Sequence, residues 1–336
     1  MSPRLSDIAG KVGVSEATVS RVLNGRSGVS DATRQAVLSA VDMLGYERPA
    51  QVRTERARLV GLVLPELQSP IFPAFAEVVA GALAQQGFTP VLCTHTEGGI
   101  TEAEYVDLLL DQHVSGVVFA GGLYAQADGD HDHYARLVER QLPVVLVNAS
   151  VDSLPFASVV CDDASAAEQA ANHLLSLGHT RLGMVLGPAD HVPSLRKLEA
   201  IEKMAAAGRL EFSGAQVARA DYSTEGGQAA ATELLRQGVT GVMCASDPLA
   251  LGVVQAVRRA GLTVPGDVSV IGYDDSRFMR FTDPALTTVR QPIEAMGRAV
   301  VERLVAQING RHELRGELLF TPELVVRNST GPAPTK

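Results

Sequence analysis

From Leu59 onward, short runs of unbroken apolar residues recur at regular intervals, and that pattern leaves few folds open. The runs are LVGLVL (59–64), TPVLC (89–93), GVVFA (116–120), PVVLV (143–147), RLGMVL (181–186), GVMCA (241–245) and DVSVIG (267–272). A strand with one wet face alternates apolar and polar residues, whereas a strand covered on both faces does not. Helix-like stretches lie between the runs, at 73–86, 101–112, 163–177, 194–207, 225–237 and 247–260. This alternation predicts parallel sheets with right-handed crossovers. Four units precede residue 150 and a comparable set follows, so two similar sheets are expected rather than one very wide sheet. Ligands of such folds bind beyond the carboxyl ends of the strands, and a cleft between two lobes brings both sets of ends together.

The first sixty residues read differently. Ser6 is placed to cap a helix from Asp7 to about Val12, ended by Gly13. Ser15 is placed to cap a second, Glu16 to Leu23, closed by Asn24-Gly25, and Ser30 a third, Asp31 to Leu44, closed by Gly45. Ile8, Val12, Val14, Val19, Val22, Leu23, Val29, Val37, Val41 and Leu44 form one shared apolar seam. Helix, tight turn, helix is the arrangement whose second helix enters the DNA major groove. With Val19, Val22 and Leu23 inward, Glu16, Ala17, Ser20 and Arg21 point outward, and Thr18 sits near the first turn. The plainer alternative is a three-helix cap with a solvated polar face.

Charge separates the two parts. The chain carries −9 overall, yet residues 1–58 hold nine Lys/Arg against six Asp/Glu, +3, and the remainder holds 20 against 32, −12. A basic head on an acidic body is expected when only the head meets phosphates. Cys93, Cys161 and Cys244 are far apart and beside strand-like runs, so they read as buried free thiols in a reducing compartment. No run approaches a membrane span, and Asp7 interrupts any apolar signal core, which points to the cytoplasm.

"LSDIAGKVGVSEATVSRVLNG" followed by "VSDATRQAVLSAVDMLGY" resembles the DNA-binding head of the LacI/GalR family of bacterial transcription regulators. The resemblance extends through "LPELQSPIF", "HLLSLGHTRLGMVLG", "ASDPLALGVVQAVRRAGLTVPGDVSVIGYDDS" and "LTTVRQP", covering essentially the whole chain. It implies a helix-turn-helix head over 1–46, a hinge over 47–58 and a two-lobed α/β periplasmic-binding-protein-like core over 59–330. The chain would cross three times between lobe one (59–157 and 290–316) and lobe two (158–289 and 317–330). By the same resemblance Glu16 and Ala17 hold base-discriminating positions, while Ser6, Ser15, Thr18, Ser20, Arg21 and Asn24 fall among DNA-contacting ones. The hinge "ERPAQVRTERAR" is about three residues shorter than the family pattern and lacks its Ala-rich helix with a leucine. Val52 is then the candidate minor-groove wedge and Arg53 a phosphate contact.

Candidate effector residues stand at strand ends. Asp274 matches the family's effector-binding aspartate, and Ser246 a polar contact, while Asp247 is expected to cap the following helix. Arg196 and Lys197 share the place of one family arginine. Asn148 ends a strand, Gln291 begins the return crossing, and Phe72 and Tyr222 either pack in the core or lie on a sugar face. Asp275 reads as a loop anchor rather than a ligand contact. The loop YAQADGDHDHYAR, with His131 and His133, reads either as a metal-binding cluster or as a polar surface loop, the second being preferred, so no metal is expected.

Gly121-Gly122 lacks the Lys-Ser/Thr of a phosphate-cradling loop, and no G-x-S-x-G follows a strand, so neither an enzyme nor a cofactor is expected. Three readings stand: an operator-binding repressor released by a sugar, a solute-binding protein, and a regulator answering to a phosphorylated carrier protein. The resemblance favours the first, with a maltose- or maltodextrin-type effector and a pseudo-palindromic operator. A tail, STGPAPTK, without heptads implies a homodimer rather than a coiled-coil tetramer.

Overall fold

The computed structural model describes residues 5–23, 28–44, 58–95, 98–150, 154–311 and 316–335. Asn24, Val52 and Arg53 lie outside the described residues, as do the expected closures at Gly25 and Gly45 and most of the hinge. The chain divides into two compact units, residues 1–58 and 59–336.

Among the described residues of the first unit there are three helices, α1 (Leu5–Val12), α2 (Glu16–Leu23) and α3 (Asp31–Leu44). Gly13, at φ +72°, ends α1, and its N–H and that of Val14 both donate to the Ala9 carbonyl. An L side chain there would be strained, which is why glycine makes this stop. Ser15 Oγ accepts from Thr18 N at 3.2 Å and Ser30 Oγ from Thr33 N at 3.3 Å, the two caps expected from sequence. Ser6 is different. The first helix already runs from Leu5, so Ser6 lies inside its first turn rather than at its cap. All ten seam residues pack together, Ile8, Val19, Val22, Leu23, Val37 and Val41 fully buried, and Ala9 and Ala40 complete the core. Each buried aliphatic side chain contributes about 1.5–3 kcal/mol, enough for a small unit built on one seam.

The second unit contains two six-stranded sheets. Its elements run β1 (Leu59–Leu64), α4 (Ile71–Gln85), β2 (Thr89–Thr94), α5 (Glu102–Asp111), β3 (Gly116–Phe119), α6 (Asp132–Glu139), β4 (Val144–Val147), β5 (Ala157–Cys161) and α7 (Asp163–Ser176). They continue with β6 (Leu182–Leu186), α8 (Val192–Ala206), β7 (Val217–Arg219), α9 (Thr224–Arg236), β8 (Gly241–Cys244), α10 (Asp247–Arg259), β9 (Ser269–Asp274), β10 (Thr287–Arg290), α11 (Ile293–Ile308), β11 (Glu317–Phe320) and β12 (Glu323–Val325). The sheet orders are β11-β5-β4-β3-β1-β2 and β12-β10-β9-β8-β6-β7. All pairings are parallel except β10 with β12.

Both sheets reverse direction of strand order beside their first strand, between β1 and β3 and between β6 and β8, which creates two switch points at their carboxyl ends. Lobe one packs a core on each face of its sheet, one of them closed by Met296, Val300, Val301 and Leu304 of α11. Lobe two has one continuous core around Val185, Leu249, Val253, Val270 and Ile271. Cys93, Cys161 and Cys244 are buried and unbridged.

The lobe boundaries expected at 157/158 and 316/317 are corrected by the pairing. β5 pairs with β4 and β11 with β5, so 158–161 and 317–320 belong to lobe one. The passages between lobes are Asp162, Gln291–Pro292 and Thr321–Pro322. ASVVC carries too many small residues to read as a strand alone; it becomes one because β4 and β11 flank it. Asp162 N donates to Phe320 O at 2.9 Å, tying the first passage to the end of β11, just before the third.

Candidate functional site

A cavity of about 750 Å³ is lined by the carboxyl ends of strands from both lobes. Lobe one contributes the segments after β1, β3 and β4, and lobe two those after β6, β8 and β9. This size lies well within the range of small-ligand sites.

A relay of side chains runs through its centre. Asn148 Nδ2 donates to Gln291 Oε1 at 3.1 Å, and Gln291 Nε2 donates to Asp274 Oδ1 at 2.7 Å. Cys161 N donates back to Asn148 Oδ1 at 3.3 Å. The relay joins lobe one, a passage and lobe two. Asn148 (φ +66°) and Asp274 (φ +115°) both hold backbone angles that L residues rarely adopt. Such strain persists where the surroundings enforce it, commonly at functional sites.

Lys197 sits beside this relay. It is buried, pairs with Asp163 at the start of α7, and lies 4.1 Å from the centre of the Tyr273 ring. Burial pushes the Asp163 carboxyl up, opposed by Lys197. Burial, then the nearby Asp247 charge, push Asp274 well above the usual carboxylate range. At the start of the same helix, Tyr222 OH bonds Ser194 Oγ at 2.9 Å and His191 Nδ1 at 2.9 Å. Burial, with a smaller contribution from Lys197, lowers His191 to about 4, so this imidazole is neutral at neutral pH.

Seven of the eight residues expected at an effector site line this cavity: Phe72, Asn148, Lys197, Tyr222, Ser246, Asp274 and Gln291. Arg196 does not. It is one position from Lys197 on α8, about 100° around the helix, and reaches Glu317 of β11 instead. The helix cap expected from Asp247 is supplied by Ser246 instead. Ser246 caps α10, its Oγ accepting from Leu249 N at 3.3 Å, and also lines the cavity. Asp247 is fully buried and accepts from Thr288 Oγ1 at 2.6 Å and Ser276 N at 2.7 Å. Asp275 is an anchor, held by Arg290 and Arg327 and outside the cavity lining.

The surface-loop reading of YAQADGDHDHYAR is corrected as well. Asp132 begins α6, and His133 is buried, its Nε2 2.8 Å from Glu102 Oε1. His131 Nε2 lies 3.0 Å from the Leu123 carbonyl oxygen, so the two rings serve different partners. Sequence reading missed Glu66, His95, Glu102, Tyr105, Gln126, Asp163 and His191 on the lining. Of these, Glu66 and His95, each two residues beyond the LVGLVL and TPVLC runs, carried a strand-end signal.

In the first unit, Glu16, Ala17 and Arg21 of α2 are exposed, and Thr18 and Ser20 half-exposed, on the side away from Val19, Val22 and Leu23. Ser15 is exposed at the helix start, its Oγ 2.9 Å from Thr18 Oγ1. Hydroxyl, small and guanidinium groups along one helix face can meet base edges and phosphates.

A helix-turn-helix unit followed by a two-lobed receptor with a strand-end cavity defines a DNA-binding regulator rather than an enzyme. The model for "bacterial regulatory proteins, lacI family" matches residues 4–49, and that for a periplasmic binding protein-like domain matches residues 171–330. The chain belongs to the lacI family: it is 50% identical to the HTH-type transcriptional regulator reg1 of Streptomyces lividans, over 99% of this chain and 98% of that one. It also matches the structure of the transcriptional regulator CelR–cellobiose complex, with a TM-score of 0.73 and 33% identity over 97% and 99% of the two chains. The lac repressor dimer bound to operator and the anti-inducer ONPF gives a TM-score of 0.75 at 27% identity, over 98% and 100%. Among the described residues no helix is long and apolar enough to cross a membrane.

Proposed function

We propose that this protein is a cytoplasmic repressor of a carbohydrate-utilisation operon, bound as a homodimer to a pseudo-palindromic operator and released by an uncharged sugar. Operator contacts come from Ser15, Glu16, Ala17, Thr18, Ser20 and Arg21, with Ser6, Asn24, Val52 and Arg53 as further candidates. The effector meets Asn148, Lys197, Tyr222, Ser246, Asp274 and Gln291, with Phe72 on an apolar wall. Arg196 is no longer among the proposed contacts.

The observation that carries this reading is the Asn148–Gln291–Asp274 relay, a row of donors and acceptors set across the lobe junction inside the cavity. Neighbouring hydroxyls of a sugar match such a row, and the flat sides of Tyr222 and Phe72 match its C–H faces. Charge narrows the class. Among the described lining residues Lys197 is the one lysine or arginine, and it is already paired with Asp163. Glu66, Glu102, Asp163, Asp221 and Asp274 line the same cavity, an excess of acidic groups that disfavours phosphorylated ligands. The CelR structure holding cellobiose supports a saccharide, and the resemblance to maltose-type regulators makes maltose or a maltodextrin the first choice.

Release follows from linkage. An effector that favours one lobe arrangement, if that arrangement holds DNA less well, weakens DNA binding by the same factor that DNA weakens effector binding. A tenfold change needs about 1.4 kcal/mol. The test is a gel-shift titration of full-length protein on DNA upstream of its own gene cluster, with and without maltose. Loss of the shifted band with maltose is expected; tighter binding reverses the sign, and no binding in low salt ends the reading.

A further inference from the structure

Asn148 follows β4 with φ +66°, an angle that its surroundings must enforce. This angle is the rotation about N–Cα, so it is set by the peptide plane on one side and by the side chain on the other. The side chain is fixed by the relay: Cys161 N donates to its Oδ1, and its Nδ2 donates to Gln291. The peptide that joins Val147 to Asn148 is gripped at both edges. Its N–H donates to Val159 O on β5 at 2.9 Å, and its carbonyl accepts from the Tyr124 hydroxyl at 2.5 Å.

Tyr124 is fully buried and does not line the cavity. Its hydroxyl serves the ends of two strands at once. It accepts from Gly121 N at 2.8 Å and from Val147 N at 3.3 Å, and lies 3.0 Å from Phe119 O. One proton and two lone pairs are thereby all in use. Burial pushes this hydroxyl above its ordinary value, so it stays protonated and donates. Tyr124 is held in its turn: its backbone N donates to the Tyr134 hydroxyl at 2.9 Å, and that hydroxyl donates to Glu102 at the start of α5. The rings of Phe119, Tyr124 and Tyr134 meet edge to face, a packing that needs no hydroxyl. A phenylalanine at 124 would fill the same space, and a buried hydroxyl costs free energy unless its bonds are made. The oxygen therefore answers to the backbone around Asn148 rather than to the core.

We propose that Tyr124 is a positioning residue for the effector: its hydroxyl fixes the Val147–Asn148 peptide so that Asn148 presents its amide to Gln291 and to the ligand, with Tyr134 holding Tyr124 in place. This rests on the reading of Asn148 as an effector contact. Without the hydroxyl the peptide plane is free to turn, Asn148 relaxes to a negative φ, and its amide leaves Gln291.

A crystal structure of full-length Tyr124→Phe, grown without sugar, tests the geometry. The rings are expected to stay while Asn148 changes φ and loses its bond to Gln291; an unchanged Asn148 overturns the proposal. Calorimetric titration with maltose tests the consequence. Tyr124→Phe should weaken maltose by about tenfold, the size of one lost buried hydrogen bond. In an Asn148→Ala background the same change should weaken it by less than about twofold, because the hydroxyl acts only through that side chain. Losses that simply multiply overturn the positioning role. If Tyr124→Phe fails to fold, Tyr134→Phe carries both measurements, with a loss of about threefold that vanishes in the Asn148→Ala background. If the wild-type protein ignores maltose, the maltose reading falls, and the conformation of Asn148 in the variant structure still decides the proposal.

Discussion

Arg196 Nη2 lies 2.5 Å from Glu317 Oε1, and the two residues belong to different lobes. Ser150 Oγ donates to the same oxygen at 2.5 Å, so Glu317 is held from both sides. The ion pair therefore exists only in a lobe arrangement close to this one. A partly exposed pair of this kind is worth about 0.2–1 kcal/mol.

Arg196→Gln is accordingly expected to move the effector midpoint by no more than about fivefold, the equivalent of 1 kcal/mol, without removing a contact to the sugar. The double variant Arg196→Glu with Glu317→Arg should recover the wild-type midpoint. Gel-shift titrations of the single and double variants measure this coupling. A loss of effector response in Arg196→Gln a hundredfold or greater would return this residue to the binding site.

Acid should weaken the folded protein through His191. Its imidazole is lowered from 6.5 to about 4 by burial, with Lys197 adding and Asp190 opposing. The unfolded chain then binds the proton first, so stability from this residue is complete above pH 6.5 and is lost as pH falls towards 4. The difference corresponds to about 3 kcal/mol. Asp163 and Asp274, raised by burial, act in the opposite direction. A comparison of wild type with His191→Gln isolates the histidine: denaturant melts between pH 7 and 4 should show a shallower fall in the variant.

Asp275 is buried and held by Arg290 and Arg327. Asp275→Asn removes the charge that both guanidinium groups face, and breaking a buried pair from one side costs about 3–5 kcal/mol. Because Arg290 is 43% exposed and rehydrates, the lower end is expected. Urea unfolding should show it, while the affinity of the remaining folded protein for sugar stays within twofold.

Arg21→Ala should weaken operator binding uniformly across DNA sequences and reduce the slope of log affinity against log salt by about one. Ala17 variants should instead change which operator binds. Fluorescence anisotropy on a set of operator variants at several salt concentrations separates the two behaviours.

Much of this architecture was legible because it is written locally. Runs such as LVGLVL and GVMCA carry their burial on their face, and Ser15, Gly13 and Ser30 mark helix ends by their own chemistry. What escaped is set by neighbours. TTVR (287–290) and ELLF (317–320) are strands because β9 and β5 offer open edges. DHYARLVE hides a helix inside a polar stretch because His133 and Tyr134 are drawn to Glu102, 31 and 32 positions earlier. The same holds for the cavity. Residues at strand ends, Asn148 and Asp274 among them, were found by position, whereas Tyr105 sits inside a helix-like stretch whose spacing does not say which residue faces the cavity, and Gln126 lies on a segment with no pattern of its own. Arg196 and Lys197 differ by one step of helix rotation, which sequence spacing leaves undecided until the helix is seated.

Asp162, Gln291–Pro292 and Thr321–Pro322 are each one or two residues long, and the first is bonded to the end of the strand that leads into the third. Three such short straps deny the halves any independent swivel, so they can only flex about one shared axis. A small molecule wedged between them therefore spends its binding energy on a single mechanical mode, and a modest ligand can turn the whole receptor as a key turns a bolt.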